Sequence, residues 1–360
     1  MKLNCAIKKD IDYIIVGQGL AGSALALHLA WRGNRIIVFD VPQENRSSLV
    51  AAGMFNPFAS KGLIKTWMAT DVFPYLHEFY PRVETLLKTK FFFQQLIYRP
   101  FLNIEEQNTW IAQTNDAAIQ SFVEATYVKP AYPHQVHDPL GGIVARKGGY
   151  LDTPSFLNAV RSWLVSFGSF GAEHFDTDQI IDSDEGIIYK DYRASKVIFC
   201  TGVPLHDAMR WLPVIKLKGE TLTVSMQDAP ELIFNRGVYA VATQTPGAFK
   251  VGSTYQLKNI VHGISLAGRQ ELEMKFQQFF KSSYAVLSQD WGLRPTTVDR
   301  KPVVGIWPGL KNRVIFNGLG TKGVTLAPYF ASVLADWLNG KRELLPEINI
   351  TRFKALYSKV

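Results

Sequence analysis

Residues 12–40 constrain the chain more than any other stretch. Asp12 to Val16 (DYIIV) is a short apolar run, and Gly17-Gln18-Gly19-Leu20-Ala21-Gly22 follows it directly. An Ala/Leu-rich stretch with helical character then runs to Arg32, where Gly33 supplies a C-terminal stop. Ile36-Ile37-Val38-Phe39 is a second β-branched run, closed by Asp40. Strand, glycine turn, helix, strand and acid thus fall within the roughly thirty residues of a βαβ unit. A lone G-x-G-x-x-G says little, but here the full context accompanies it. Gly17 permits the tight turn, Gly19 lets the backbone approach a pyrophosphate, and Gly22 lets helix and strand pack closely. The helix N-terminus, from Leu20 and Ala21 onward, offers unpaired N–H groups and a partial positive charge to phosphates. Asp40 is placed to accept hydrogen bonds from ribose hydroxyls. The block predicts a dinucleotide site, and by itself it does not choose between NAD and FAD.

Length and composition bound the rest. At 360 residues the chain exceeds a typical single domain, so two domains are expected. Hydrophobic residues at 47% against 19% charged exclude a largely disordered chain. Two cysteines, Cys5 and Cys200, exclude a disulfide framework and a Cys-rich metal site, which suits a reducing, cytoplasmic setting. No apolar stretch approaches the roughly 18–20 residues of a membrane span, and the N-terminus has no signal-peptide pattern, so a soluble protein without a membrane partner is expected. The net charge is +8, and residues 300–360 carry ten basic against three acidic side chains. Such an excess suits phosphates, RNA or an acidic substrate, or is plain solubilising charge.

Later segments read as a return to the first sheet. Lys196-Val197-Ile198-Phe199-Cys200-Thr201-Gly202 is a buried strand ending in Thr-Gly, and Val314-Ile315-Phe316-Asn317-Gly318 is another. The latter leads through Leu319-Gly320-Thr321-Lys322-Gly323 into a helix from about Val324 to Leu338, with Pro328 early in it. Between these pieces, Phe91 to Trp110 and Thr221 to Tyr255 alternate apolar and polar residues, as antiparallel strands do, and Ala267 to Phe280 reads as an amphipathic helix.

The blocks IIVGQGLAGSALALHLAWRG, SSLVAAGMFNP, GGYLDTPSFLNAV, KVIFCTG, KVGSTYQ, WGLRPTTVDRKPVVG and NGLGTKGVTLAP together resemble the D-amino-acid-oxidase-like FAD-dependent oxidoreductases. This is the group of glycine oxidase, sarcosine oxidase and the oxidase module of the bifunctional tRNA 5-methylaminomethyl-2-thiouridine biosynthesis protein. The resemblance implies roles residue by residue. Ser48, Ala51, Ala52, Gly53 and Met54 match the small-residue segment that passes the pyrophosphate and the flavin ring. Thr201 and Gly202 match the turn beside the adenosine half. Gly320, Thr321, Lys322, Gly323, Val324 and Thr325 match the loop at the pyrimidine edge of the flavin, where a helix N-terminus favours the negative charge of the reduced ring. Arg294 matches the arginine that grips the substrate carboxylate, a task suited to a planar guanidinium. Tyr239 stands where related enzymes have a substrate-facing tyrosine, and Lys250 aligns with the lysine implicated in oxygen activation. Asp40 replaces the commoner Glu, Arg300 replaces the usual Gly after Asp299, and no Cys stands at the position of covalent flavin attachment, so the FAD is expected to be non-covalent.

The expected fold is α/β: a discontinuous, Rossmann-like FAD-binding domain (1–85, 145–215 and 290–360) with an α+β substrate domain built on an antiparallel sheet (86–144 and 216–289), and the active site between them. The expected reaction is oxidation of a C–N bond in an amino acid or N-substituted glycine, with reoxidation by O2 or another acceptor. Two alternatives stand beside it. The Gly-Thr-Lys-Gly loop and the ending with Leu345-Pro346 and Arg352-Phe353 look like the tRNA-modifying module, whose carboxymethylaminomethyl substrate is itself an N-substituted glycine. A flavin-binding redox protein without turnover is the other. His134 and His137 beside Asp138 lack the further ligands of a metal site, and no Gly-x-Ser-x-Gly elbow or Walker loop is present.

Overall fold

The two apolar runs around the glycine turn become adjacent parallel strands. In the computed structural model, which describes residues 9–41, 46–58, 63–203 and 211–357 and so leaves Cys5 outside the described residues, Lys9–Val16 pairs in parallel with Ile36–Phe39, Tyr13 opposite Ile36. On its other edge it pairs in parallel with Tyr192–Phe199, and that strand pairs in parallel with Arg313–Asn317. The short strand Phe170–Gly171 joins Ile36–Phe39 in parallel. Five parallel strands thus run in the order 313–317, 192–199, 9–16, 36–39, 170–171, with antiparallel additions at Ile181–Ser183, Gly186–Tyr189 and Val303–Ile306. Continuous burial of Ile36 to Phe39 fits a sheet covered on both faces.

Leu20–Trp31 is buried on all sides from Leu20 to Leu29, which is why its sequence lacks a polar stripe. It packs against Gly323–Leu338, and Arg32 ties the two helices by bonds to Asp336 (2.9 Å) and the Ser332 hydroxyl (2.9 Å).

The chain divides into two compact units, 1–48, 157–217 and 294–360 against 49–156 and 218–293. Residues 49–85 and 145–156, expected with the first domain, fall in the second unit. The physical reason is a three-stranded antiparallel sheet of Met54–Phe55, Gly149–Leu151 and Phe92–Gln94, sealed by aromatic packing of Phe55, Tyr80 and Phe156 around Phe92 and Phe91. The larger sheet of that unit orders its strands Tyr284–Thr297, Val214–Met226, Ala248–Gly252, Val238–Ala242, Ile233–Arg236, Ile97–Pro100, Gly142–Ala145, Val123–Tyr127. Its ladders are antiparallel at 221–225 with 248–252 and at 239–242 with 249–252, and parallel where Ile233 meets Ile97. One face buries Leu222, Val224, Val238, Ala240, Phe249 and Val251 with Leu272, Phe276 and Phe279 of the helix Leu266–Phe279.

One segment departs from the sequence reading. The alternation in Phe91 to Trp110 predicts strands, but Ile104–Gln113 is a helix. Asn103 caps it by accepting from Glu106 N (2.8 Å), while the Glu106 carboxylate accepts from Leu102 N (2.7 Å). This reciprocal cap outweighs a two-residue periodicity.

Candidate active site

The glycine turn is shaped by what surrounds it. Gly17 has φ +97°, and a Cβ there would stand 2.7 Å from the Cys200 carbonyl oxygen. A Cβ on Gly22 would overlap the Gly17 carbonyl oxygen. Gly19 is different: only the Ser48 hydroxyl lies near its missing Cβ, at 3.1 Å, and that hydroxyl accepts from Leu20 N at 3.3 Å. Gly19, the N-cap residue, has no side chain with which to cap the helix Leu20–Trp31, and the first turn holds no acid, so the helix neutralises none of its own dipole there. Thr201 Oγ1, directly after Cys200, is buried without a hydrogen-bond partner among the described residues. A buried orphan hydroxyl beside a turn where an added Cβ would strike backbone is what a bound dinucleotide would complete. The residues present fit FAD.

Asp40 holds a network that the sequence reading missed. Its carboxylate accepts two bonds from Arg46 (2.7 and 3.0 Å), and Arg161 stands at 3.4 Å. Arg161 Nε donates to Gln18 Oε1 (2.9 Å), and fully buried Gln18 donates to the Leu157 carbonyl (2.8 Å) and the Ser23 hydroxyl (3.1 Å). The variable middle position of Gly17-Gln18-Gly19 therefore locks the turn to the helix Thr153–Ser166. A carboxylate has about four lone-pair sites, so Asp40 retains acceptor capacity for a diol. The signal available in the sequence was weak: an Arg six residues past the acid looks like any surface charge.

A second group forms at Gly323–Leu338. Gly320 N donates to the Pro295 carbonyl (2.8 Å), and Thr296 bridges Leu319, so the strand end that carries half-buried Arg294 lies against the loop 319–323. Gly202 joins the group, its carbonyl accepting from Asn317 Nδ2 at 3.1 Å. Gly320 has φ +55°, with Thr296 Oγ1 3.2 Å from the place of its missing Cβ; that oxygen is also buried and without a partner among the described residues. Lys322 is the N-cap residue, and no side chain caps the helix. Burial and then Arg300 push the Lys322 pKa down to about 8. Arg300 itself sits at φ +57°, the left-handed region that a Gly would occupy without strain. Thr321 is exposed, while Val324 and Thr325 are buried in the first helical turn.

The remaining candidates lie in the second unit. Gly53 (φ +72°) packs so closely on the Leu151 carbonyl that a Cβ would overlap it, and Ala51 O accepts from the Thr153 hydroxyl. Ala52 is half-buried, and Met54 Sδ receives Asn235 Nδ2 at 3.9 Å. On the sheet face opposite the aromatic core, Tyr239 covers Gly252, where a Cβ would come within 2.7 Å of the phenol oxygen. Thr221, opposite Gly252 on the other side, is buried with Oγ1 unpartnered among the described residues. Lys250 is bound to Asp290 at 3.3 Å, a carboxylate that the sequence reading did not foresee.

Other candidates are used structurally. Buried Asp138 accepts from Tyr98 OH, Ala131 N and Tyr132 N. No group of three or more His, Cys, Asp or Glu able to hold a metal occurs among the described residues. The basic C-terminal excess is partly neutralised within the first unit, Arg313 by Asp182 (2.7 Å) and Arg352 by Asp299 (2.8 Å). No helix among the described residues is long and apolar enough to cross a membrane.

Comparison with known proteins gives the family and the fold. A family model described as FAD dependent oxidoreductase matches residues 12–337. The bifunctional protein ThiO/ThiG of Trichormus variabilis is 23% identical over 95% of this chain and 55% of its own length. A D-amino acid dehydrogenase of Rhizobium rhizogenes is 28% identical over 60% of this chain and 55% of its own. The chain therefore spans about half the length of these curated relatives. Among solved structures, iminodiacetate oxidase from Chelativorans sp. BNC1 superposes with a TM-score of 0.76 at 18% identity, covering 93% of this chain and 97% of that one. Glycine oxidase from Geobacillus kaustophilus gives 0.76 at 18%, covering 95% and 99%. These structural likenesses carry the fold.

Proposed function

The chain belongs to the FAD dependent oxidoreductase family, and from that premise we propose that it oxidises a carbon–nitrogen bond in an amino acid or N-substituted glycine. The observation that carries the proposal is the tie between Pro295 and Gly320, which sets the strand end of Arg294 against the glycine loop of the helix Gly323–Leu338. An arginine fixed there is suited to hold a substrate carboxylate by two parallel bonds, so that the neighbouring C–H bond is presented in one orientation. The names of the similar proteins, a D-amino acid dehydrogenase, an iminodiacetate oxidase and a glycine oxidase, share a carboxylate beside an amine and support the same substrate class.

FAD held non-covalently would supply a hydride acceptor; the imine released would be hydrolysed by water, and O2 or another acceptor would take the electrons. Gly17 and Gly22 shape the turn and Gly19 would admit the pyrophosphate, Leu20 and Ala21 would present the helix N–H groups to it, and Asp40 would accept from the ribose. By the resemblance, Ser48, Ala51, Ala52, Gly53 and Met54 would belong to the segment that passes the pyrophosphate and the ring, and Thr201 and Gly202 to the turn at the adenosine half. Gly320 to Thr325 with Lys322 would set a helix terminus and a cation toward the negative charge that develops on reduction. Tyr239 offers a phenol to the substrate. Lys250, tied to Asp290, faces the acceptor step with its charge largely balanced.

The test is anaerobic: the purified yellow protein is mixed with a panel of amino acids, N-alkyl glycines and simple amines, and flavin bleaching is followed. Bleaching by carboxylated amines supports the proposal; bleaching by none of the panel, from a protein that dithionite reduces normally, contradicts it.

A further inference from the structure

Exposed large apolar side chains concentrate in one loop of the second unit. Between the strand Ala248–Gly252 and the helix Leu266–Phe279, Tyr255, Leu257, Val261, Ile264 and Leu266 are 57–71% exposed. Leaving this many large apolar groups in water within twelve residues is costly unless something covers them.

The exposure is built in, because both ends of the loop are fastened to the same buried ion pair. At one end Gln256 and Lys218 exchange two backbone bonds of 3.0 Å, and Gln256 Nε2 donates to the Asn259 carbonyl (2.9 Å). At the other, Ser265 donates to Glu220 through N (2.9 Å) and Oγ (2.7 Å). Glu220 is buried, bound by Lys218 Nζ at 2.9 Å and by Gln289 Nε2 at 2.6 Å. The loop thus rises from a fixed base.

Its charge has one sign. From Thr254 to Gln270 there is no Asp or Glu, and Lys258 lies among the apolar residues, while Arg269 beyond them is paired with Glu273 at 3.2 Å. Exposed apolar side chains around a cation, with the one acid at their base, Glu220, buried, complement a surface that is uniformly anionic over an apolar interior. We propose that this loop docks the protein peripherally on an anionic lipid bilayer, with Leu257, Val261 and Ile264 entering the boundary between headgroups and acyl chains and Lys258 meeting lipid phosphates. That no helix among the described residues could span a bilayer concerns a different mode of attachment. Hydropathy alone does not reveal the loop, because Gln256, Lys258, Asn259 and His262 dilute it.

Flotation of the FAD-loaded full chain with vesicles decides the matter. Binding is expected to vesicles of phosphatidylcholine mixed with phosphatidylglycerol, and much less to phosphatidylcholine alone. The triple variant Leu257→Ser, Val261→Ser, Ile264→Ser is expected to lose about tenfold or more of that binding, and Lys258→Glu several-fold. Leu102→Ser with Ile104→Ser, which removes exposed apolar groups elsewhere, is expected to leave it unchanged. Flavin content and Tm show that each variant is folded. Three results overturn the proposal: no preference for the anionic vesicles, a triple variant that binds as the parent does, or a parent dimer that the triple variant converts to monomer, which would assign the loop to a second copy of the chain.

Discussion

Arg46 grips both carboxylate oxygens of Asp40, at 2.7 and 3.0 Å, so the acid that closes the second strand carries its own cation. The pair is largely removed from water, with side-chain exposures of 13% and 8%. Deleting one partner of such a pair leaves a desolvated charge, which costs about 3–5 kcal/mol where burial is complete and somewhat less here. Arg46→Ala should therefore lower Tm by several degrees and weaken FAD binding together, with Arg161 at 3.4 Å compensating only in part. Arg46→Lys should restore some stability without the second parallel bond. Denaturation curves and FAD titration of both variants check this; an unchanged Tm in Arg46→Ala would show the pair to be dispensable.

Two glycines of the turn and the one that ends its helix should fail in different ways. Gly22→Ala places a methyl on the Gly17 carbonyl and should destabilise the protein with or without FAD. Gly19→Val meets only the Ser48 hydroxyl, so the chain should fold yet purify colourless, because the branched side chain occupies the approach of the pyrophosphate. Gly33→Ala has open space but φ +79°, and should cost only about 1 kcal/mol. Tm and flavin content measured side by side separate the three; a yellow Gly19→Val protein would contradict the assignment of that glycine.

What the sequence made legible is what local pattern determines. The βαβ unit was readable because burial on both faces leaves uninterrupted β-branched runs at Ile14–Val16 and Ile36–Phe39, and because glycine is needed where Gly17 turns. The helix after Gly323 was readable from the same logic. The Asp40–Arg46–Arg161–Gln18 network was not, since it joins residues up to 143 positions apart through side chains whose types are common on any surface. The helix at Ile104–Gln113 was missed because its cap, not its periodicity, decides it. Lys250 was read without Asp290, which lies on another strand, and the chemistry assigned to a lysine changes once a carboxylate is bound to it.

Lys322 gives a pH dependence with a definite sign. Its pKa is pushed down from the ordinary 10.5 to about 8, first by burial and then by Arg300. Between those values the unfolded chain holds a proton that the folded chain does not, so this residue adds stability as pH rises from about 8 toward 10.5 and withdraws it as pH falls through 8. Lys322→Met should remove that slope and be more stable than the parent near neutral pH. Arg300→Gly should reduce the slope while relieving a left-handed residue, which is worth about 1 kcal/mol. Chemical denaturation of the flavin-free proteins across this pH range is the measurement; parallel curves for parent and Lys322→Met would contradict it.

Arg294 tests the account most directly. In the proposed reading its removal deletes a bidentate, charge-assisted contact in which each bond is worth on the order of 1.5–3 kcal/mol, so Arg294→Ala should lose about a hundredfold or more in kcat/KM on a carboxylated amine. The decisive measurement is the ratio of kcat/KM for a carboxylated amine to that for its decarboxylated analogue, in parent and in Arg294→Ala, at equal flavin content. The account predicts a ratio that collapses toward one in the variant, with Arg294→Lys between the two. A ratio unchanged by the substitution would contradict it, and would move the substrate class away from carboxylated amines.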